Sequence, residues 1–253
     1  GKRLISLSHL LITDIDYTLI GGENEHLADL CRLIDSVRPY LGFGVATGRT
    51  IESASQIIEE YKIPFPDFLI TSVGTEIYYG KELSYDHGYD AHISKQWNRD
   101  KIVEVLSSFD FLIYQEDDTQ RKFKVSYYME PDKDRLAMIH NVLVKNKLKY
   151  NLIYSHDQFL DILPVVASKG KAIRYLSYKW EIPLRHMVVS GDSGNDEEML
   201  RSGALGVVVG NYSAELEHLK GNSRIFFAEK SYAGGILEGI DHYDMLENAK
   251  PKD

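Results

Sequence analysis

Near the start of the chain, apolar residues recur in two alternating rhythms, short continuous runs and helical spacings. Leu10-Leu11-Ile12 is a continuous run, the pattern of a parallel strand buried on both faces. Leu27, Leu30 and Ile34 then recur at helical spacing, which predicts a helix beginning at Asn24 or the acidic residues beside it and ending near Pro39. Phe43-Gly44-Val45-Ala46 forms a second run, followed by a second helical face at Ile51, Ala54, Ile58 and Tyr61. Pro64 and Pro66 close that unit before a third strand, Phe68–Thr71, which runs out into Ser72-Val73-Gly74-Thr75-Glu76. Strands alternating with helices imply a parallel sheet joined by right-handed crossovers.

Between about residues 80 and 165 the rhythm changes to helix, strand, strand, repeated once. The helices are expected over 97–109 and 132–147, and the strands over 111–115, 123–128, 152–154 and 159–163. Adjacent strands of this kind pair antiparallel, so this segment reads as an inserted α+β domain and a candidate lid. After Pro164 the first rhythm returns: a helix over 169–180, strands over 187–190, 205–209 and 225–227, and a last helix over about 234–246. The fold expected is therefore α/β, with a Rossmann-like parallel core split into 1–79 and 166–253 and an insert at 80–165.

Composition narrows the function. With 43% hydrophobic residues, 253 residues can bury a substantial core, as one large domain or two smaller ones. Acidic residues outnumber basic ones 38 to 29, which argues against a nucleic-acid partner. The one dense basic run, Arg121-Lys122-Phe123-Lys124, follows Glu116-Asp117-Asp118 and reads as a solvated hairpin. Cys31 is the only cysteine, so no intrachain disulfide is expected, and a reducing, cytoplasmic setting fits. No apolar stretch approaches the ~20 residues of a membrane span, so no membrane partner is expected, and no signal peptide is recognisable at the start. The chain opens at Gly1 rather than Met, as a trimmed chain or a domain cut from a longer protein would.

The candidate chemistry lies where the apolar runs end. In a parallel sheet, residues just past the carboxyl ends of the strands share one edge, where such folds bind ligands. Asp14 and Asp16 follow the first strand, Thr47 the second and Asp192 a later one, with Asp196 in a turn rich in Gly and Ser. Asp14 and Asp16, two apart on extended chain, point the same way and repel each other, so a cation belongs nearby. By itself this pair reads equally well as turn residues or as chemistry. Several carboxylates at one edge make a hard oxygen site suited to Mg²⁺. With a metal there, Asp14 can attack phosphorus, Asp16 can protonate the leaving oxygen and then activate water, and Thr47 with the Gly48 amide can hold phosphate oxygens. Lys169, at the start of a helix, can add positive charge where the helix dipole already favours anions.

Four segments resemble the signature motifs of the haloacid dehalogenase superfamily of Mg²⁺-dependent phosphatases: Asp14-Ile15-Asp16-Tyr17-Thr18, Ala46-Thr47-Gly48-Arg49, Ser168-Lys169-Gly170-Lys171-Ala172 and Gly191-Asp192-Ser193-Gly194-Asn195-Asp196. The resemblance implies metal binding by the Asp14 side chain, the Asp16 backbone carbonyl and Asp192, with Asp196 in support. It further implies phosphate binding by Thr47, Gly48, Lys169 and Asn195. The insert looks like the large α+β cap of one branch. Within that branch the chain is similar, nearly end to end, to the sucrose-phosphate phosphatases, through Ser72-Val73-Gly74-Thr75-Glu76-Ile77-Tyr78, Lys124-Val125-Ser126-Tyr127-Tyr128, Asp161-Ile162-Leu163-Pro164 and Gly239-Ile240-Asp241-His242-Tyr243.

That similarity implies a small-molecule sugar phosphate as substrate, with sucrose 6-phosphate favoured. Glu76, Lys124 and Asp161 would then face the sugar. Each also has a plainer reading: a strand-end surface charge, part of the solvated hairpin, and an ion-pair partner of a nearby lysine. His156 and Gln158 lie near the cap edge, within reach of a sugar or simply in a loop. The similarity extends to phosphatase-like domains of bacterial sucrose-phosphate synthases, so a synthase, as a domain or a separate chain, is a candidate partner. The competing functions are a mannosylfructose-phosphate or other sugar-phosphate phosphatase, a phosphomannomutase-like phosphomutase, and a regulatory domain that binds sugar phosphate. Tyr17 departs from the first motif, where these phosphatases commonly carry a smaller residue.

Overall fold

The computed structural model describes residues 3–22 and 24–250. Gly1, and Glu23 beside Asn24, lie outside the described residues. The first rhythm folds as expected into β1 (His9–Thr13), α1 (Leu27–Val37), β2 (Leu41–Ala46), α2 (Ile51–Glu60) and β3 (Phe68–Thr71). Helix α1 starts later than Asn24, whose side-chain amide instead donates to the Leu19 carbonyl at 2.7 Å, outside the helix.

The chain then departs from expectation. It does not run extended from Thr71 to Glu76, because Ser72, Val73 and Gly74 all adopt positive φ (52°, 60° and 91°) and reverse it. β4 (Glu76–Tyr79) returns antiparallel to β3, and β5 (Ser84–Tyr85) pairs with β4. After α3 (His87–Ile93) come α4 (Arg99–Leu106), β6 (Ile113–Tyr114), β7 (Val125–Tyr128), α5 (Lys133–Lys145), β8 (Asn151–Ser155) and β9 (Phe159–Leu163), the expected helix-strand-strand order repeated once. The last stretch holds α6 (Lys169–Trp180), β10 (Met187–Gly191), α7 (Glu197–Leu200), β11 (Leu205–Val208), β12 (Ile225–Phe227), α8 (Tyr232–His242) and α9 (Met245–Ala249). The single last helix expected is thus two, broken where Asp244 turns left-handed at φ 47°.

Two sheets result. The larger runs β12-β11-β10-β1-β2-β3-β4-β5, with every pairing from β12 to β3 parallel. The smaller is antiparallel, in the order β6-β7-β9-β8. Alternation along β1 sends Leu10 and Ile12 into one buried cluster and Leu11 into another, so the larger sheet is covered on both faces. A third cluster, containing Ile102, Val125, Ile139 and Leu160, packs the smaller sheet against its helices.

The expected edge of the insert at residue 80 falls inside this packing. β5 extends the larger sheet, and Tyr89 and Ile93 of α3 are buried with Phe68 and Ile70. Chain order also sets the site, because β1 is followed by β2 and β3 on one side while β10, β11 and β12 lie on the other. The carboxyl ends of β1 and β10 therefore flank the point where strand order reverses, and a crevice opens there in such sheets.

Candidate active site

Asp14 and Asp192 follow the last residues of β1 and β10, and Asp196 sits in the short turn after Asp192. Donor oxygens of all three lie within 4.8 Å of one another, and all three side chains are buried. Lys169, at the first turn of α6, is fully buried among them. Its Nζ donates to Asp14 Oδ1 at 2.9 Å and to Asp196 Oδ1 at 2.7 Å. α6 can begin there because Ser168 caps it, accepting from the Lys171 N–H at 3.1 Å. The second Asp196 oxygen accepts from the backbone N–H groups of Asp192 and Ser193, and Thr18 Oγ1 donates to Asp192 Oδ1 at 2.8 Å.

Three carboxylates thus face one ammonium in a buried space. Burial pushes the Asp14 carboxyl up to about 7, with Lys169 pulling it down and Asp196 pushing it further up. Burial, Asp196 and Asp14 push Asp192 up to about 9. Burial works against the charge on Lys169, but Asp14 and Asp196 outweigh it and its pKa rises. Hard oxygen donors with an excess of buried negative charge fit a divalent cation, and Asp14, Asp192 and Asp196 are the residues able to hold it.

The Asp16 carboxylate stands apart from that group. Arg49 grips it with two hydrogen bonds, Nε to Oδ2 at 2.8 Å and Nη2 to Oδ1 at 2.7 Å, while its Nη1 donates to Ser53 Oγ at 2.7 Å. Thr47 is fully buried; its backbone N–H donates to the Ile70 carbonyl and its Oγ1 accepts the Arg49 N–H at 3.1 Å, which leaves the hydroxyl proton as the group it can offer. Gly48 faces Asn195, whose Nδ2 lies 3.8 Å from where a Gly48 Cβ would be. The buried Asn195 Oδ1 has no hydrogen-bond partner among the described residues.

A cavity of about 430 Å³ lies over this edge, walled by Asp14, Asp16 and Gly48 on the larger sheet's side and by Lys124, His156 and Asp161 from the insert. Lys124 is only 4% exposed, which corrects the reading of Arg121 to Lys124 as a solvated hairpin. Lys124 Nζ donates to Ser126 Oγ at 2.6 Å, Ser126 Oγ donates to Asp161 Oδ1 at 2.6 Å, and Lys124 lies 3.5 Å from Asp161. Asp161 is thus at once an ion-pair partner of a lysine and a wall of the cavity.

Glu76 is not brought into that wall. It is buried against Arg121, which donates to its two carboxylate oxygens at 2.8 and 3.3 Å, while Thr71 and Ser72 donate to Oε2. The sequence reading missed Arg49, Arg121, Ser126 and Thr18 as partners. Arg49 and Thr18 stand inside the two motifs that carry Asp16 and Thr47, so they were within reach of it. Arg121 meets Glu76 across 45 residues, and no local pattern signals that contact.

The sequence profile of the sucrose-6F-phosphate phosphohydrolase family matches residues 7–244. Sucrose-phosphatase 1 of Nicotiana tabacum is 32% identical over 99% of this chain, which spans 63% of that relative's length. The mannosylfructose-phosphate phosphatase of Agrobacterium fabrum is also 32% identical, over 93% of this chain and 97% of its own. The crystal structure of the Synechocystis sucrose-phosphatase in complex with sucrose and phosphate superposes with a TM-score of 0.88 at 31% identity, covering 94% of this chain and 98% of that one. A haloalkanoate-superfamily phosphatase from Bacteroides thetaiotaomicron shares the fold, with a TM-score of 0.70 at 17% identity. The motifs, the fold and the family match agree: this chain shares the fold of haloacid dehalogenase superfamily phosphatases and belongs to the sucrose-6F-phosphate phosphohydrolase family.

Proposed function

We propose that the protein is a Mg²⁺-dependent phosphatase that releases phosphate from a phosphorylated disaccharide, sucrose 6-phosphate first among them, through an aspartyl phosphate on Asp14. The observation that carries this is Lys169 spanning Asp14 and Asp196 at the sheet edge, beneath a cavity shared with the insert. In this reading the larger sheet and its helices, through α3, form the core domain, and the segment from α4 to β9 forms the cap.

Asp14 attacks phosphorus, and Lys169 orients its carboxylate. The Thr47 hydroxyl, the Gly48 amide, Lys169 and Asn195 hold the phosphate oxygens. Asn195 meets them through its Nδ2 donors, while its buried Oδ1 has no partner among the described residues. Asp16 protonates the leaving oxygen and then takes a proton from the attacking water, for which one of its two bonds to Arg49 opens while the other keeps the carboxylate in place. Asp14, the Asp16 backbone carbonyl, Asp192 and Asp196 hold the Mg²⁺, which when bound supplies counter-charge for the phosphate. Lys124 and Asp161 meet sugar hydroxyls from the cap wall, and Glu76 reaches the sugar only if Arg121 releases it. A synthase making the phosphorylated disaccharide, fused or separate, is the partner that supplies substrate, in a reducing, cytoplasmic setting.

Phosphate release with Mg²⁺ across sucrose 6-phosphate, mannosylfructose phosphate, glucose 6-phosphate and fructose 6-phosphate tests this reading. Disaccharide phosphates should turn over fastest, and Asp14→Asn should abolish turnover. Faster turnover of the monosaccharide phosphates would refute it. Mannosylfructose phosphate is the second reading, favoured by the equal identity of the Agrobacterium relative over nearly its full length.

A further inference from the structure

Tyr17, the departure inside the first motif, adopts φ 58°, a left-handed conformation that few tyrosines take up. Core packing does not hold it there, since it is 56% exposed. The surrounding hydrogen bonds do. The Ile15 carbonyl accepts the N–H groups of Thr18, Leu19 and Ile20, and Asn211 Nδ2 donates to the Tyr17 carbonyl at 2.6 Å. The same Asn211 accepts the Tyr232 N–H at 2.9 Å, which ties the motif turn to the start of α8. A backbone held in a costly conformation with an exposed ring is a device for aiming that ring.

The ring is aimed at the insert. It lies 5.6 Å from the His156 ring, and His156 is itself left-handed, at φ 52°, in the turn between β8 and β9. The Phe159 ring stands nearly perpendicular to that of His156, with centroids 6.1 Å apart. All three rings line the cavity that has Asp14 among its walls, and Lys124, Asp161 and Gln115 line it too. A sugar ring has apolar C–H faces and a hydroxyl rim, so a pocket with an aromatic wall and a few polar groups complements it.

We propose that Tyr17, His156 and Phe159 form an aromatic wall that receives the face of a sugar ring in the leaving alcohol, and that this wall sets the preference for phosphorylated sugars over smaller phosphate esters. It rests on the sugar-phosphate reading above. Tyr17 and His156 reach it from opposite sides of the cleft, so the wall is complete only when the insert stands over the larger sheet.

Tyr17→Asn and His156→Asn test it, because asparagine tolerates the left-handed backbone at both positions while removing the ring. Phosphate release is measured for sucrose 6-phosphate and for acetyl phosphate, which has no ring, and sucrose binding by calorimetry. Each variant should lower the kcat/KM ratio of sucrose 6-phosphate to acetyl phosphate by about tenfold, chiefly through KM, and weaken sucrose binding in step. Tyr17→Phe should keep the ratio. Equal losses on both substrates, or a ratio unchanged in Tyr17→Asn, would overturn the wall alone. Wild-type protein that hydrolyses acetyl phosphate but no sugar phosphate would overturn the sugar-phosphate reading and the wall with it.

Discussion

Lys169 carries more of the site than any other single side chain. It is fully buried, and removing its charge leaves Asp14 and Asp196 facing each other without a counter-ion. Lys169→Met should therefore destabilise the metal-free fold at neutral pH by about 3–5 kcal/mol, read from urea unfolding, besides abolishing turnover. Arg49 should behave differently, because its fork positions Asp16 and does not hold the fold together. Arg49→Lys keeps the charge but loses the fork, so kcat should fall about tenfold with KM nearly unchanged and no change in the unfolding midpoint. Asp14, Asp16, Thr47, Lys169, Asp192 and Asp196 could be singled out in the sequence because each stands at the end of an apolar run or the head of a helix. Contacts outside the motifs could not: the Ser126 bridge to Asp161 spans 35 residues and depends on the register of β7 against β9.

The turn between β3 and β4 shows why some elements escape a sequence reading. Ser72 and Val73 carry side chains that seldom turn left-handed, so nothing local marks the reversal, and Ser72 to Glu76 reads as the run-out of β3. The reason for the turn lies elsewhere in the chain. Gly74 presses on the start of α6, and a Cβ there would come within 2.1 Å of the Ser168 carbonyl carbon and 2.3 Å of the Lys169 nitrogen. Gly74 also has φ 91°, so Gly74→Ala meets both strain and a backbone clash. It should cost about 3 kcal/mol, or roughly 6–12 °C in melting temperature, with activity lost because the turn bearing Lys169 is displaced. β1, β2, β3, α2 and α6 were legible for the opposite reason: unbroken apolar runs and helical spacing belong to their own segments. The break between α8 and α9 was not, since it rests on one left-handed aspartate in a continuous apolar pattern.

The insert is joined to the larger sheet by apolar packing, with Phe123, Ile153 and Leu163 buried in the same cluster as Phe68 and Ile70, and by polar ties around a charged cleft. Arg121 reaches back to Glu76 and Glu52, and Glu215 accepts the N–H groups of Gly194 and Asp157, one from each side. Beneath them the buried carboxylates set how the whole chain responds to pH and metal. Asp14 and Asp192 are raised from 3.8 in the unfolded chain to about 7 and about 9, so the folded protein binds more protons than the unfolded one between those values. The stability they contribute is complete below the unfolded pKa and is lost as pH rises towards 9, which gives metal-free protein a falling melting temperature across that window. A divalent cation replaces those protons, so its stabilising effect must grow as they leave. Mg²⁺ at a fixed millimolar concentration should raise the melting temperature clearly at about pH 8.5 and little at about pH 5.5, and a chelator should reverse the gain. Asp192→Asn removes one titrating carboxyl and one donor, so it should flatten the metal-free pH dependence and shrink the Mg²⁺ shift together. A Mg²⁺ shift equal at both pH values, or retained in full by Asp192→Asn, would place the cation elsewhere than among these three carboxylates.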